Sequence, residues 1–252
     1  MIEPELFVLL LCITFGTYFQ TVTGFGVGMI VMGAASGFNL APLPVVAAVV
    51  SLMALVNSGV ALHGKLELID WPAARAVLLG VVPAIVAGVL MLDYLSAAAS
   101  NVLKLLLGVV ITLSGVIFSL RPTPRETRSS DRSFFASGFA AGLFGGLFGM
   151  SGPPVIFHLY RQPMAPATVR AMLLLIFAFT SASRTVFVGF QGGLTGEVWM
   201  LAALSVVLVT LSTLAGRRYP PPLKPRAMRR LAFIFLILIG LGLMASAVSA
   251  ML

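Results

Sequence analysis

Apolar residues fall in blocks along this chain. Near-continuous apolar blocks of about 20 residues occur at 42–62, 72–92, 101–120, 166–188, 195–215 and 231–251. A helix of that length rises about 30 Å, the thickness of a bilayer's hydrocarbon core. Each block therefore predicts a transmembrane helix. Two further apolar stretches, 6–38 and 134–161, are broken by glycine. The first break reads Gly24-Phe25-Gly26-Val27-Gly28, and the second Gly149-Met150-Ser151-Gly152-Pro153-Pro154. A peptide group left unsatisfied in hydrocarbon costs several kcal/mol, so a break at that depth persists only where protein or a wet cavity surrounds it. Broken segments at matching positions of two halves point to a transporter's binding site.

Composition fixes the class. Of the 252 residues, 59% are hydrophobic and 10% charged, against about 25% charged in a soluble domain. The mean hydropathy is +1.07. An all-α polytopic membrane protein is expected. The net charge of +8 would suggest nucleic acid in a soluble protein; here it is a topology signal, and no nucleic-acid partner is expected. Cys12 is the single cysteine, which excludes an internal disulfide, a CxxC redox pair and a thiolate metal cluster. No cofactor or metal is implied. Met1 to Glu5 carries no positive side chain and does not resemble a secretory signal, so the first apolar stretch reads as part of the mature fold.

The two halves resemble each other. Gly64, Leu66 and Trp71 match Gly192, Leu194 and Trp199, and the same register pairs Ala87-Gly88 with Ala215-Gly216. Both tryptophans stand just before an apolar block, at the interfacial depth tryptophan prefers. The expected division is a first repeat at 1–120, a polar linker at 121–133 and a second repeat at 134–252. Each repeat is one broken segment followed by three spans.

Basic residues set the orientation. The linker holds Arg121, Arg125, Arg128 and Arg132, and a second loop holds Arg217, Arg218, Lys224, Arg226, Arg229 and Arg230. Positive charge marks the cytoplasmic side. With both loops cytoplasmic, spans 166–188 and 195–215 supply the even number of crossings between them. The stretch 134–161 must then enter and leave on one side, as a re-entrant hairpin. Arg161, Arg170, Lys65 and Arg75 fall inside as well. Glu3, Glu5, Asp93 and Glu197 fall outside, with Lys104 the one basic residue near that face. A rival arrangement makes the broken segments full crossings, giving eight spans, and pushes the second basic loop outside. Three true crossings per repeat make the second repeat inverted relative to the first.

The candidate chemistry starts at the breaks. Gly24, Gly26 and Gly28 permit positive φ and close approach of a ligand, with Phe25 between them. Re-entrant half-helices meeting at the breaks can aim N-terminal amides at an anion. Gly149 and Ser151 contribute a turn and a hydroxyl, and Pro153 suits the first turn of a new helix. The alternative is close helix packing through small residues, the preferred reading for Gly138 and Gly142. Arg184 lies inside an apolar block beside Thr180, Ser181, Ser183 and Thr185. It either faces a wet cavity as an anion ligand or snorkels to the outer surface. Asn57 and Ser58 hold the corresponding place in the first repeat, as oxyanion donors or as interhelical glue. Gln20 and Thr23 are candidate cavity-lining groups. His63 reads as a solvated loop residue, and His158 as a proton shuttle or a structural hydrogen-bonder. The eight acidic residues all sit near block ends or loops, which argues against a buried carboxylate relay for cations and favours an anionic substrate. Gly149-Met150-Ser151-Gly152 also superficially resembles the nucleophile motif of rhomboid proteases, but the two prolines follow almost at once and no later span carries a histidine.

At the breaks the chain resembles the sulfite exporter TauE/SafE family, also called the toluene sulfonate uptake permease family. The resemblance rests on the duplication, the glycine breaks opening each half, and the Gly64-Lys65-Leu66…Trp71 element. Where members show Gly-x-x-Gly-x-Gly-Gly-Gly, the second half reads Gly146-Leu147-Phe148-Gly149-Met150-Ser151-Gly152-Pro153, and the first keeps Gly24, Gly26 and Gly28. The resemblance implies a multi-pass protein of the bacterial inner membrane, its basic loops cytoplasmic, that moves sulfite, sulfonates or related sulfur oxyanions. The expected mechanism is alternating access, with both hairpin tips near the midplane. No ATP-binding motif is present, so a proton, sodium or the substrate gradient drives it. An anion channel and an intramembrane serine hydrolase are the alternatives. A reporter fused after Leu252 is expected to report the external side, and a cytoplasmic signal there would sink this topology.

Overall fold

The computed structural model describes residues 4–23, 26–62, 64, 66–119, 125–219 and 225–251, with the side chains of 22–23, 59–61, 117–119, 217 and 225–232 left aside. Gly24, Phe25, His63, Lys65, Arg121 and Lys224, and the side chains of Thr23, Arg217, Arg226, Arg229 and Arg230, lie outside the described set.

Every apolar block becomes a helix. Each broken stretch becomes two, α1 (Pro4–Thr23) with α2 (Val27–Gly37), and α6 (Asp131–Phe148) with α7 (Gly152–Tyr160). The unbroken blocks are α3 (Leu43–Leu62), α4 (Trp71–Ala98), α5 (Ser100–Ser119), α8 (Pro166–Phe190), α9 (Gly196–Arg218) and α10 (Pro225–Ser249). Helices α4 and α10 outrun the apolar blocks that predicted them, because backbone bonding continues into polar flanks that hydropathy does not register. Asp70 Oδ1 accepts from Ala73 N at 3.1 Å and caps α4. Pro166 and Pro225 open α8 and α10, where a missing N–H costs nothing.

Among the described residues, four runs are long and apolar enough to cross a membrane: Pro4–Thr21, Trp71–Ala98, Pro166–Phe190 and Gly196–Gly216. The described parts of α3, α5 and α10 give shorter apolar runs, Leu43–Ser58, Ser100–Val116 and Phe233–Ser249. Leu79, Leu90, Val186, Leu211 and Leu238 are exposed. Such surface is a liability in water and suits lipid.

Two compact units interleave the halves of the chain. The first comprises Met1–Val49, Asp93–Leu120 and Gly196–Leu252. Its centre is an antiparallel pair, α5 with α10. Asn101 reaches the Ala250 carbonyl at one end, while Gly115 meets Ile237 further along. Between these, Gly240 packs on Thr112 and Gly108 with no room for a side chain. Thr112 and Gly240 are equivalent positions in the register that pairs Gly64 with Gly192. Helix α2 packs on this pair through Gly33, which meets Ile111 and Ile239. It is apolar all round and buried from Gly28 to Ser36, as such a helix must be. Helix α1 packs on α9, Thr21 against Gly216, and Tyr18 donates to the Tyr219 carbonyl at 2.8 Å.

The second unit comprises Val50–Leu92 and Arg121–Thr195. A stripe of glycines at helical spacing lays α6 backbone to backbone on α4. Gly138 meets Val77, Gly142 meets Val81, and Gly146 meets Ile85 and Gly88. Close packing is therefore the role of Gly138 and Gly142. Gly88 lies against Gly146 here and Gly216 against Tyr18 in the other unit, positions that match in the register pairing Gly64 with Gly192. The paired glycines Gly64 and Gly192 also share one backbone state, φ +72° and +74°, which costs other residues ~1–2 kcal/mol.

A leucine at Gly138 must displace the Val77 backbone. Gly138→Leu is expected to destabilise by ~1–3 kcal/mol or more, read as a lower melting temperature in detergent. Gly242→Ala, with open space around its Cβ, is expected to melt like the parent.

Candidate functional site

The second break is a designed stop and restart. Gly149 adopts φ +66° and returns its N–H to the Gly145 carbonyl at 2.9 Å, closing α6. Ser151 precedes α7 with no side-chain cap bond, and prolines occupy the first turn. Proline carries no N–H, so of the leading amides that a helix leaves without an intrahelical partner only those of Ser151 and Gly152 exist here. The start of α7 thus offers fewer donors than the expected anion cradle. Ser151 is buried beside Gly145.

Arg184 stands against this tip. It is 1% exposed, so it does not snorkel to a surface. Its Nε donates to the Gly146 carbonyl at 3.0 Å and its Nη1 to Ser51 Oγ at 3.4 Å. The guanidinium is therefore held, not unpaired, and it satisfies a carbonyl in the last turn of α6, where cations are favoured. Thr180, one turn earlier on α8, packs on Gly145 and returns its hydroxyl to the Ile176 carbonyl at 2.7 Å. Phe177 lies against Gly152.

The base of the same stretch is closed. Arg125 N donates to the Arg161 carbonyl at 2.7 Å. Ser129 N donates to Gln162 Oε1, and Gln162 Nε2 to Ser129 Oγ, both at 2.9 Å. Gln162 Nε2 also reaches the His158 carbonyl at 3.1 Å. The Phe134 and His158 rings meet edge-on at 4.8 Å. Residues 125–134 thus lie beside 158–162, and the chain turns back at the second break. Burial, then the fields of Arg125 and Arg161, lower the His158 pKa from the ordinary imidazole value. That favours a neutral ring with a structural place in this base.

The first break turns back as well. Gly16 lies against Val27 and Ile30, which antiparallel α1 and α2 alone permit. Gly26, at φ +111°, is the N-cap of α2. Gln20 does not line a cavity with its carbonyl oxygen: Oε1 accepts from Val27 N at 3.1 Å and caps α2 from across the turn. Thr21, just before the turn, packs on Gly216 near the end of α9.

The second unit thus gathers Gly149, Ser151, Gly152 and Arg184, with Pro153 buried behind them. The first gathers Gln20, Gly26 and buried Gly28. Ser58 is buried on α3 and Ser51 lies two turns earlier on that helix, while Asn57 and Ser183 are half-buried. Ser51, Ser129 and Gln162 were not singled out from sequence, and Thr180 was named only as a polar neighbour of Arg184. Ser129 and Gln162 carried a signal, as uncharged polar residues at the two ends of one broken stretch. Gln20→Ala is expected to leave the first amide of α2 uncapped and to cost ~1 kcal/mol. An unchanged melting temperature in detergent would remove the cap from this account.

Comparison with known proteins gives a family. A family model described as sulfite exporter TauE/SafE matches residues 9–243. A probable sulfite/organosulfonate exporter TauE of Cupriavidus necator is 54% identical over 235 residues, covering 93% of this chain and 92% of that protein. No solved structure matches the chain.

Proposed function

This chain belongs to the sulfite exporter TauE/SafE family of membrane transporters, and we propose that it exports sulfite or an organosulfonate from a bacterial cytoplasm by alternating access. The name of the Cupriavidus necator relative supports the substrate class and the direction. The placement of every acidic residue at block ends or in loops, none mid-block, supports an anion.

The topology we propose is two inverted repeats, each with a re-entrant hairpin. Three observations favour it. The ends of the second broken stretch are hydrogen-bonded to each other. Arg125, Arg128 and Arg161 stand with Asp70 at that base, Arg128 pairing with Asp70 at 3.7 Å, and such a basic end belongs on the cytoplasmic side. Helices α5 and α10 run antiparallel with equivalent residues Thr112 and Gly240 in contact. A two-fold axis in the membrane plane has that consequence, whereas an axis along the membrane normal would make the pair parallel.

One observation carries the site: the buried Ser151 hydroxyl at a broken helix tip whose carbonyl end is held by Arg184. On this reading the sulfur oxyanion takes hydrogen bonds from Ser151 and from the Gly152 amide. Arg184 supplies positive potential and fixes the tip. Gln20, Gly24, Phe25, Gly26 and Gly28 form the corresponding element of the first repeat, and Asn57, Ser58 and Ser183 serve as secondary polar contacts. Gradients of protons, sodium or the anion itself drive the cycle.

Purified protein in liposomes is expected to move labelled sulfite or taurine with saturable kinetics and counterflow. Ser151→Ala and Arg184→Gln are each expected to lower that flux at least tenfold. Flux without saturation would establish a channel, and flux unchanged in both variants would remove this tip from the mechanism. Imposed gradients in the same vesicles identify the coupling ion.

A further inference from the structure

The base of the second hairpin carries more positive charge than its acids cancel. Arg128 is accounted for: its Nη2 lies 3.0 Å from Asp131 and its Nε 3.7 Å from Asp70, and it stacks over Phe134. Arg125 and Arg161 are different. Among the described residues neither forms a salt bridge. Arg125 Nη1 donates to a neutral hydroxyl, Ser129 Oγ, at 2.9 Å. Arg161 lies over the Phe157 ring at 5.4 Å, and its Nε is buried with no hydrogen-bond partner among the described residues. A buried donor without an acceptor is costly.

The backbone holds the two arginines together, since Arg125 N bonds the Arg161 carbonyl. Both guanidinium groups act on one imidazole, His158. Like charges brought into one small region repel unless an anion is shared between them. The frame around them is rigid: the Ser129–Gln162 pair is bonded in both directions, and both residues are buried. This base is separated from the tip by α6, which at 18 residues is about 27 Å long.

We propose that the base of the second hairpin is a second oxyanion site, with Arg125 and Arg161 as its charged ligands. The acceptor chemistry is that of a sulfite, sulfonate or phosphate group, at least two terminal oxygens on one centre, which a guanidinium grips through two N–H groups at once. Two sources present it: the transported anion approaching from solution, and the phosphate of an anionic lipid at the membrane surface. The site rests on the transport reading only for the first of these.

The test uses the full chain with Cys12→Ser and Pro163→Cys, the exposed new thiol carrying an environment-sensitive fluorophore. In lipid-free detergent, sulfite is expected to give a saturable signal. In sulfite-free nanodiscs, phosphatidylglycerol replacing phosphatidylcholine is expected to give it if lipid is the source. Either response supports the site when Arg125→Gln and Arg161→Gln each weaken it at least tenfold, Arg161→Lys restores part of it, and Ser151→Ala leaves it unchanged. No saturable response to either probe, or one indifferent to both arginine variants, overturns the proposal. Flux in liposomes is measured separately, so a transporter lacking this site and a binding protein lacking transport give different results.

Discussion

Everything in this molecule answers to one constraint: a peptide group in hydrocarbon needs a partner. An unbroken helix meets the requirement by itself, whereas a broken one exposes donors on one side of the break and acceptors on the other. The two breaks handle the donors differently. In the first, Gln20 reaches across the turn to Val27 N. In the second, two first-turn positions of α7 are proline and have no donor to satisfy. Acceptors at the second break are met by the Gly149 N–H on the Gly145 carbonyl and by Arg184 on that of Gly146. Arg184 thereby serves structure before any ligand arrives, which explains how a buried guanidinium is tolerated in an apolar block.

Holding a broken helix inside a membrane also demands close neighbours. Lipid tails are as apolar as leucine, so helices gain little from burying leucine against leucine and must gain from contact itself. The glycines of α6 supply that contact by letting its backbone touch Val77, Val81 and Ile85 of α4. The arm carrying the tip is thereby fixed along its length. The base is fixed separately, by Ser129 and Gln162. A tip at the end of an arm held at both places keeps its geometry, as selective binding of a small anion requires.

Much of this was legible in the chain. Apolar blocks located the helices because a span must be apolar over most of its length, and they missed the polar ends of α4 and α10 for the same reason. Gly64 and Gly192, paired in the sequence, share one left-handed backbone state, which glycine adopts without strain. Gly138 and Gly142 were readable as packing because they recur one turn apart. The partners of Gln20 and Arg184 were not readable. Gln20 bonds a residue seven positions on, and Arg184 one 38 positions back. Both pairings depend on how the chain folds back, which apolar periodicity does not encode. Gly24 and Phe25 lie outside the described residues.

The two broken stretches sit among matching contacts and differ at their tips, and the difference bears on the chemistry. Matching positions make these contacts: Gly88 on Gly146, and Gly216 on Tyr18. At the tips, the first commits its leading amide to Gln20, whereas the second leaves α7 without a side-chain cap and keeps a buried serine hydroxyl beside it. A donor already bonded must break that bond to serve a ligand, which forfeits most of the gain. On the proposed reading, an oxyanion therefore draws its hydrogen bonds mainly from Ser151 and Gly152. Few donors in a fixed, water-poor setting discriminate by geometry more than by charge. Substitutions at Ser151 and Pro153 should then alter which sulfur oxyanion is carried, while those at Gln20 should alter how stably the first hairpin is formed.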